Sequence, residues 1–409
     1  MFTPKKQIVF ACALLMAGLA SQSANALELT DGKVKIGVLT DLSGPYSGMG
    51  GPGSVVAANM AVEDCLKAEC KGMNIEVVSA DHQNKADIAA SRAREWIDVQ
   101  GVDALVDLTN SAGALAVQKI IKDRGGIALY SGPAVAKLTN EDCARNGFHW
   151  MFDTYSLAAG PVAAMAQAGD KKWFFITVDY AFGHAMEKDA TEVLKANGGT
   201  VVGSVRHPLN ASDFSSFILQ AQASGADVIA FANGAQDTVN AMKSVQEFGV
   251  TSSGQKIAAL VVFLTDVHAM GLETAQGLTF SEGFYWDLDD QTRAFATRFG
   301  EQFRGNKPTV VQAGVYSSTL HYLKTVAAAG TDDWRVIQEK IREIPIEDAV
   351  IRNASIQDNG RVVHDMYVFK VKSPKESKGA WDYYDLTSTI PADQAFLPVS
   401  QSACPLLKK

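Results

Sequence analysis

The chain alternates short apolar runs with amphipathic stretches over most of its length. Apolar or period-two runs at Val34–Leu39, Asn74–Ser79, Ala104–Asp107 and Ile127–Tyr130 predict strands, and helical patterns at Ser54–Lys67, Ala86–Val99 and Ala114–Arg124 fall between them. A second series follows Tyr155, with strands predicted at Trp173–Val178, Thr200–Val205, Asp227–Ala232 and Ile257–Val262 and helices at Phe182–Ala196, Phe214–Ser224 and Asp237–Phe248. Gly198-Gly199 stops the first of these helices, as a C-terminal glycine should. Such alternation implies parallel sheets. Two similar units in tandem make two lobes.

From Gly283 onward helices are predicted at Asp290–Arg304, Val310–Ala329 and Trp334–Glu343, then a strand-rich segment Ser355–Val371 with a turn at Asp358-Asn359-Gly360. This remainder is too short and too helical for a third lobe, so it is expected to cross back and complete the first two. The expected division is a signal peptide at 1–26, lobe one at 27–150 with 283–350, lobe two at 151–282 with 351–390, and a tail at 391–409 that returns to lobe one. A chain that passes several times between lobes makes a multi-stranded hinge, which suits closure around a ligand.

Lys5 and Lys6, the apolar run Ile8–Ala20 and Ala24-Asn25-Ala26 fit the three parts of an export signal, with the mature chain beginning at Leu27. The apolar run is shorter than the roughly 18 to 20 residues needed to span a bilayer. Cys12 lies at the start of that run instead of its end, which argues against lipidation. Cleavage leaves about 383 of the 409 residues, enough for two domains and a sizeable core. Loss of the two signal lysines takes the formal net charge from −8 to −10. With no basic run and no interleaved aromatics, this balance argues against nucleic acid and anionic lipid as partners.

Cys65, Cys70, Cys143 and Cys404 remain, an even count that favours disulfides in an oxidising compartment. On an unbroken helix Cys65 and Cys70 would be about 7.5 Å apart along the axis, too far to bridge. Lys71-Gly72 marks a helix end, so the chain can curl there and let them pair, which leaves Cys143 with Cys404. Free buried thiols are the alternative.

Catalytic patterns are mostly absent. Gly48-Met49-Gly50-Gly51-Pro52-Gly53 matches G-x-G-x-x-G, but some eight residues separate it from Leu39, whereas a dinucleotide site needs its first glycine directly after the strand. It reads as a loose ligand loop. There is no P-loop, no G-x-S-x-G elbow, no H-E-x-x-H and no C-x-x-C. His82, His149, His184, His207, His268, His321 and His364 are scattered, without a metal-like spacing, and no metal or cofactor is expected. Asp287, Asp289 and Asp290 form an acidic turn that reads as a solvated helix N-terminus, not a calcium loop.

The polar residues at predicted strand ends carry more information. Thr40, Asp41 and Ser43 follow strand one, Thr109, Asn110 and Ser111 strand three, Ser131 strand four, and Asp179 the first strand of lobe two. Ligands of open α/β sheets sit beyond those ends, where hydroxyls and helix N-termini hold an anion such as a carboxylate. N-capping is the ordinary alternative for any one of them. Tyr46, Tyr155, Tyr180, Phe182, Phe263, Tyr285 and Trp286 lie near the same ends and would wall a pocket.

Five segments carry a resemblance: IGVLTDLSGPYSGMG at Ile36–Gly50, ADHQNKADIAASRARE at Ala80–Glu95, DYAFGHAME at Asp179–Glu187, NASDFSSFILQAQASGADVIAF at Asn210–Phe231, and PTVVQAGVYSS at Pro308–Ser318. Over nearly all of residues 33–385 the chain resembles the Leu/Ile/Val-binding protein family, the type I periplasmic solute receptors of ATP-driven importers. The resemblance implies an α/β type I periplasmic-binding fold of two doubly wound parallel-sheet lobes, a small-molecule ligand, an ABC permease in the inner membrane as partner, a periplasmic location, a monomer and no catalysis. It implies a ligand carboxylate at Ser111, Ala112 and Gly113 and at Gly132, Pro133 and Ala134, with Tyr46 as an aromatic wall. From the second lobe it implies Phe182, Asn233–Gln236 and Phe263–Asp266, with Tyr155 and Tyr285 at the crossovers. The chain departs from the family in reading NSAGA after strand three, with a single serine, and in placing Phe182 where a tyrosine is common. Asp266 is the best candidate to meet an ammonium group. Fewer polar anchors and more rings suit an apolar or aromatic carboxylate as readily as a branched-chain amino acid. The rivals are a ligand-sensing partner of a signalling receptor and, further off, an exported nucleotide-dependent enzyme.

Overall fold

The computed structural model describes Met1 and residues 27–407; the rest of the expected export signal and Cys12 lie outside the described residues. The first series comprises β1 (Val34–Thr40), α1 (Gly51–Lys67), β2 (Ile75–Asp81), α2 (Ala86–Asp98), β3 (Ala104–Asp107), α3 (Ser111–Arg124), β4 (Ile127–Tyr130) and β5 (Gly147–His149). Its strands pair in the order β2-β1-β3-β4-β5, all parallel. β3 and β4 are buried along their whole length, which is why they read as continuous apolar runs. β5 escaped the sequence reading because three residues carry too little periodicity. Its register comes from β4 on one side and from a bridge between His149 and Arg361 on the other.

The second series opens with an unpredicted helix, α4 (Thr154–Gln167), whose interior Pro161 weakened the helical signal. Asp153 starts it with a capping box: its carboxylate accepts from the Ser156 N–H while the Ser156 hydroxyl accepts from the Asp153 N–H. Then follow β6 (Lys172–Val178), α5 (Ala181–Ala196), β7 (Thr200–His207), α6 (Ser215–Ala223), β8 (Val228–Ala232), α7 (Gln236–Glu247) and β9 (Lys256–Ala259). They form a second parallel sheet in the order β7-β6-β8-β9. β9 stops pairing at Ala259, short of the predicted Val262, and the buried residues Leu260–Phe263 run on past the sheet.

The remainder contains α8 (Leu264–Met270), α9 (Leu272–Ala275), β10 (Thr279–Glu282), α10 (Asp290–Gln302), α11 (Val310–Ala329), α12 (Trp334–Lys340), β11 (Ser355–Ile356), β12 (Val362–Val363), β13 (Met366–Val371), β14 (Tyr384–Ile390) and α13 (Ala392–Ala395). α10 and α11 pack on α1, and α11 also lies against β3 and β4. β13 pairs antiparallel with both β10 and β14. The acidic turn is a helix start, as expected: Asp289 caps α10, and Arg293 and Arg352 pair with the turn's carboxylates.

Three crossing segments meet between the lobes, and two buried side chains tie them together. Arg361, 2% exposed, donates to the carbonyls of Trp150 (2.6 Å), Phe152 (3.0 Å) and Val362 (3.0 Å) and lies 3.6 Å from the Asp153 carboxylate. His364 sets one ring nitrogen 2.9 Å from the Met151 carbonyl, and Gly283 of the second crossing packs against its ring.

Both expected disulfides are present. Cys65–Cys70 spans 5.0 Å between α-carbons, made possible by the turn in which the Cys70 N–H bonds back to the Cys65 carbonyl. Cys143–Cys404 spans 5.6 Å and closes a chain interval of 261 residues. Replacing Cys143 and Cys404 together by serine is expected to cost about 2–4 kcal/mol through a looser unfolded chain. Calorimetric unfolding of the double variant checks this, and an unchanged midpoint would contradict it.

Candidate functional site

Residues just beyond the carboxyl ends of both sheets line one narrow cavity. The first sheet supplies Tyr46 and Met49 from the loop after β1, Thr109 and Ser111 after β3, Gly132 and Ala134 after β4, and Phe152 beyond β5. The second supplies Tyr180 and Phe182 after β6, Gly234 after β8, and Val261 and Phe263 after β9. Lobes that present their strand ends to each other bring these loops together, however far apart they lie in sequence. The Tyr46 and Tyr180 hydroxyls meet at 2.5 Å across the cleft. Burial pushes both phenols well above their ordinary range, so they stay neutral donors and acceptors.

The walls are rings and small residues. Phe152 and Phe263 lie with centroids 5.3 Å apart, Tyr180 and Phe182 5.9 Å apart. No Lys, Arg, His, Asp or Glu is among the lining residues. The polar groups converge on one side, where Ser111 is the first residue of α3 and the Thr109 hydroxyl lies 3.1 Å from the His82 ring. A helix N-terminus with an adjacent hydroxyl attracts an anion without a cationic side chain.

Of the residues expected from sequence, Tyr46, Ser111, Gly132, Ala134, Phe182 and Phe263 share this cavity. The others do not line it, for identifiable reasons. The Gly113 N–H is taken by the Asn110 cap at 2.6 Å, and Ala112 follows Ser111 within the first turn of α3. The Pro133 carbonyl is engaged by His149 at 2.6 Å. Asn233 has both ends occupied, by His207 at 3.1 Å and by the Thr238 hydroxyl at 2.8 Å. Gln236 and Asp266 line a neighbouring, more open crevice with Ser43–Met49 residues opposite. The Asp266 carboxyl, pushed up to about 7 by burial, accepts from the Phe263 N–H at 2.9 Å. Tyr155 lines a wider groove with Lys188 and Asp189. Tyr285 is a core residue of lobe two: its hydroxyl donates to the Trp381 carbonyl, and its ring stacks on Tyr384 at 4.7 Å.

Met49, Phe152 and Val261 were not among the expected contacts, whereas Gly234 falls within the expected run Asn233–Gln236 and Thr109 and Tyr180 were expected at the strand ends. Thr109 and Tyr180 carried a signal, a hydroxyl and a ring at strand ends; Phe152 and Val261 read as ordinary core. The glycine loop has a packing role: Gly50 caps α1, and Gly53 lies where a Cβ would stand 2.2 Å from the Gln312 amide nitrogen. The Gln312 side chain in turn donates to the Gly50 carbonyl at 3.0 Å.

A family model described as periplasmic binding protein matches residues 33–380. A crystal structure of a periplasmic binding protein from Burkholderia mallei is 47% identical, with a TM-score of 0.89, over 92% of this chain and 100% of that one. A branched chain amino acid ABC transporter periplasmic ligand-binding protein from Burkholderia xenovorans LB400 is 41% identical, with a TM-score of 0.82, over 91% and 100%. Among curated relatives, Leu/Ile/Val-binding protein homolog 6 of Brucella melitensis is 29% identical over 255 residues, and the match spans 60% of this chain and 62% of that relative.

Proposed function

We propose that this chain, which belongs to the periplasmic binding protein family, is an extracytoplasmic receptor that traps a small carboxylate-bearing ligand between its lobes and delivers it to an ABC permease. The observation that carries this reading is the cavity lined by loops from both sheets and bridged by Tyr46 and Tyr180. A ligand favours closure only through contacts it gains in the closed form, so each lobe must contribute residues. We assign the lobes by the expected boundaries with two changes: the β11–β12 hairpin is placed with lobe one, because Arg361 bridges to His149 of β5, and Tyr285 with lobe two, because it packs in that lobe's core. The name of the Burkholderia xenovorans relative supports the transport setting.

Ring-rich walls, a helix N-terminus and no cation favour a flat, largely apolar carboxylate, with branched-chain amino acids in the same size class. The test is a thermal-shift screen of the mature monomer against aliphatic and aromatic acids, their amides and the branched-chain amino acids. A true ligand at a hundredfold its Kd is expected to add about 2.7 kcal/mol of stability. A screen in which no acid or amino acid raises the midpoint would remove the proposed ligand class.

A further inference from the structure

Asp107, the last residue of β3, places a carboxyl beneath the cavity floor. It is fully buried; the Thr40 and Ser54 hydroxyls lie close enough to act on it, but neither oxygen has a well-aligned hydrogen bond among the described residues. Oδ1 lies 2.6 Å from where a Cβ on Gly132 would stand, and Oδ2 lies 2.9 Å from the same point on Gly50. Gly132 lines the cavity, as does Thr109, whose methyl group crowds both glycine positions. The carboxyl is thus separated from the ligand space by little more than one residue's backbone. Asp107 and Leu108 both take left-handed backbone angles, φ +79° and +63°, a strain of the kind that collects at functional sites.

The surroundings offer no countercharge. From β1 come Thr40, whose hydroxyl accepts from the Gly51 N–H and keeps its own proton free, and Asp41, whose carboxylate holds the Gly44 and Tyr46 N–H groups. From α1 comes Ser54, whose hydroxyl lies close enough to act on the carboxyl without a well-aligned hydrogen bond. From the end of β2 comes His82, which reaches Thr109 and is held neutral by burial. α11 faces β3 and β4 with Ser318, opposite Ser131 at 3.4 Å. Burial outweighs the Thr40 and Ser54 hydroxyls and pushes Asp107 up to about 6, with Asp41 adding repulsion and no cation among the causes.

A ligand carboxylate at the α3 N-terminus would be a second negative charge beside this one in a space without a cation, and two such groups do not both stay ionised. We propose that Asp107 is a proton-linked selectivity residue: an anionic ligand is bound with uptake of one proton onto Asp107, whereas a neutral ligand is bound without it. This rests on the carboxylate reading above. The proton comes from solvent and the ligand carboxylate stays ionised, so one negative charge remains in the site. The sign follows: the neutral form is present below about pH 6 in the free receptor, and an anion's Kd weakens about tenfold for each pH unit above that.

The experiment uses benzoate and benzamide as probes, titrated calorimetrically from pH 5 to 8 in two buffers of different ionisation heat. Benzoate is expected to bind with close to one proton taken up at neutral pH, and benzamide with none. In Asp107→Asn the proton count for benzoate should fall to zero and its pH dependence should flatten. Benzoate bound by the unaltered protein without proton uptake would overturn the proposal. Failure of every acid and amide would instead count against the ligand class. The ligand-free protein then still tests Asp107: an infrared band of a protonated carboxyl at pH 5, lost in Asp107→Asn, is required, and its absence overturns the assignment.

Discussion

Arg361→Ala is expected to be the most damaging single change in the molecule, at about 3–5 kcal/mol of stability. The guanidinium is buried, ties three crossing-segment carbonyls, faces the Asp153 carboxylate and lies 4.6 Å over the Phe396 ring. Burial pulls its pKa down to about 10, which still leaves it charged at neutral pH. Truncation leaves the Trp150 and Phe152 carbonyls without their donor and a carboxylate without its counterion. Asp153 also starts α4, so the loss reaches the second lobe. Arg361→Lys keeps the charge but loses the planar fork that serves two carbonyls at once, and should fall between the two. Denaturant unfolding checks the order, and a midpoint unchanged in Arg361→Ala would show that the crossings hold without it.

The second large effect is on binding. Phe182→Ala removes a ring that walls the cavity from lobe two while packing at 5.9 Å on Tyr180, half of the bridge between lobes. Truncating a buried aromatic anchor costs about 2–4 kcal/mol, a thirtyfold to thousandfold weaker Kd. Ser111→Ala removes the hydroxyl at the start of α3, and a hydrogen bond to a charged group is worth about 1.5–3 kcal/mol. The two act from opposite lobes, so each should weaken an acid ligand by itself. Calorimetric titration with the strongest ligand from the screen measures both. Affinity untouched in both variants would sink the two-lobed trap.

Much of the first lobe was legible because its strands obey local rules. β3 and β4 fell on the expected residues, and α1 differed only in starting at Gly51 instead of Ser54. Gly51 and Pro52 at its first turn look like loop residues when read singly, although Pro is well suited to that position. α4 was missed because Pro161 argues locally against a helix, and the packing of α4 on α5 and β10 overrides it. Tyr285 was drawn into the site by its place near a crossover, but its hydroxyl is spent on the Trp381 carbonyl and the Tyr383 N–H inside lobe two. Asn233 and Gly113 carry the right chemistry at the right strand ends, and hydrogen bonds within the protein have already used it.

By itself the sequence determined the alternation of strands and helices, the local turn that lets Cys65 meet Cys70 and the resemblance to a solute receptor, because each rests on patterns within short segments; the 261-residue pairing of Cys143 with Cys404 needed the tertiary structure to establish it. Which strand-end groups face the ligand was decided only in three dimensions, where two sheets meet and neighbours compete for each donor and acceptor. The same holds for Arg361, an ordinary charge in the sequence that becomes a hinge clamp once the distant segment Trp150–Asp153 and Phe396 surround it. Asp107 is the sharpest case: its close enclosure without a countercharge comes from Gly50, Thr109 and Gly132, residues brought together by three different strand ends.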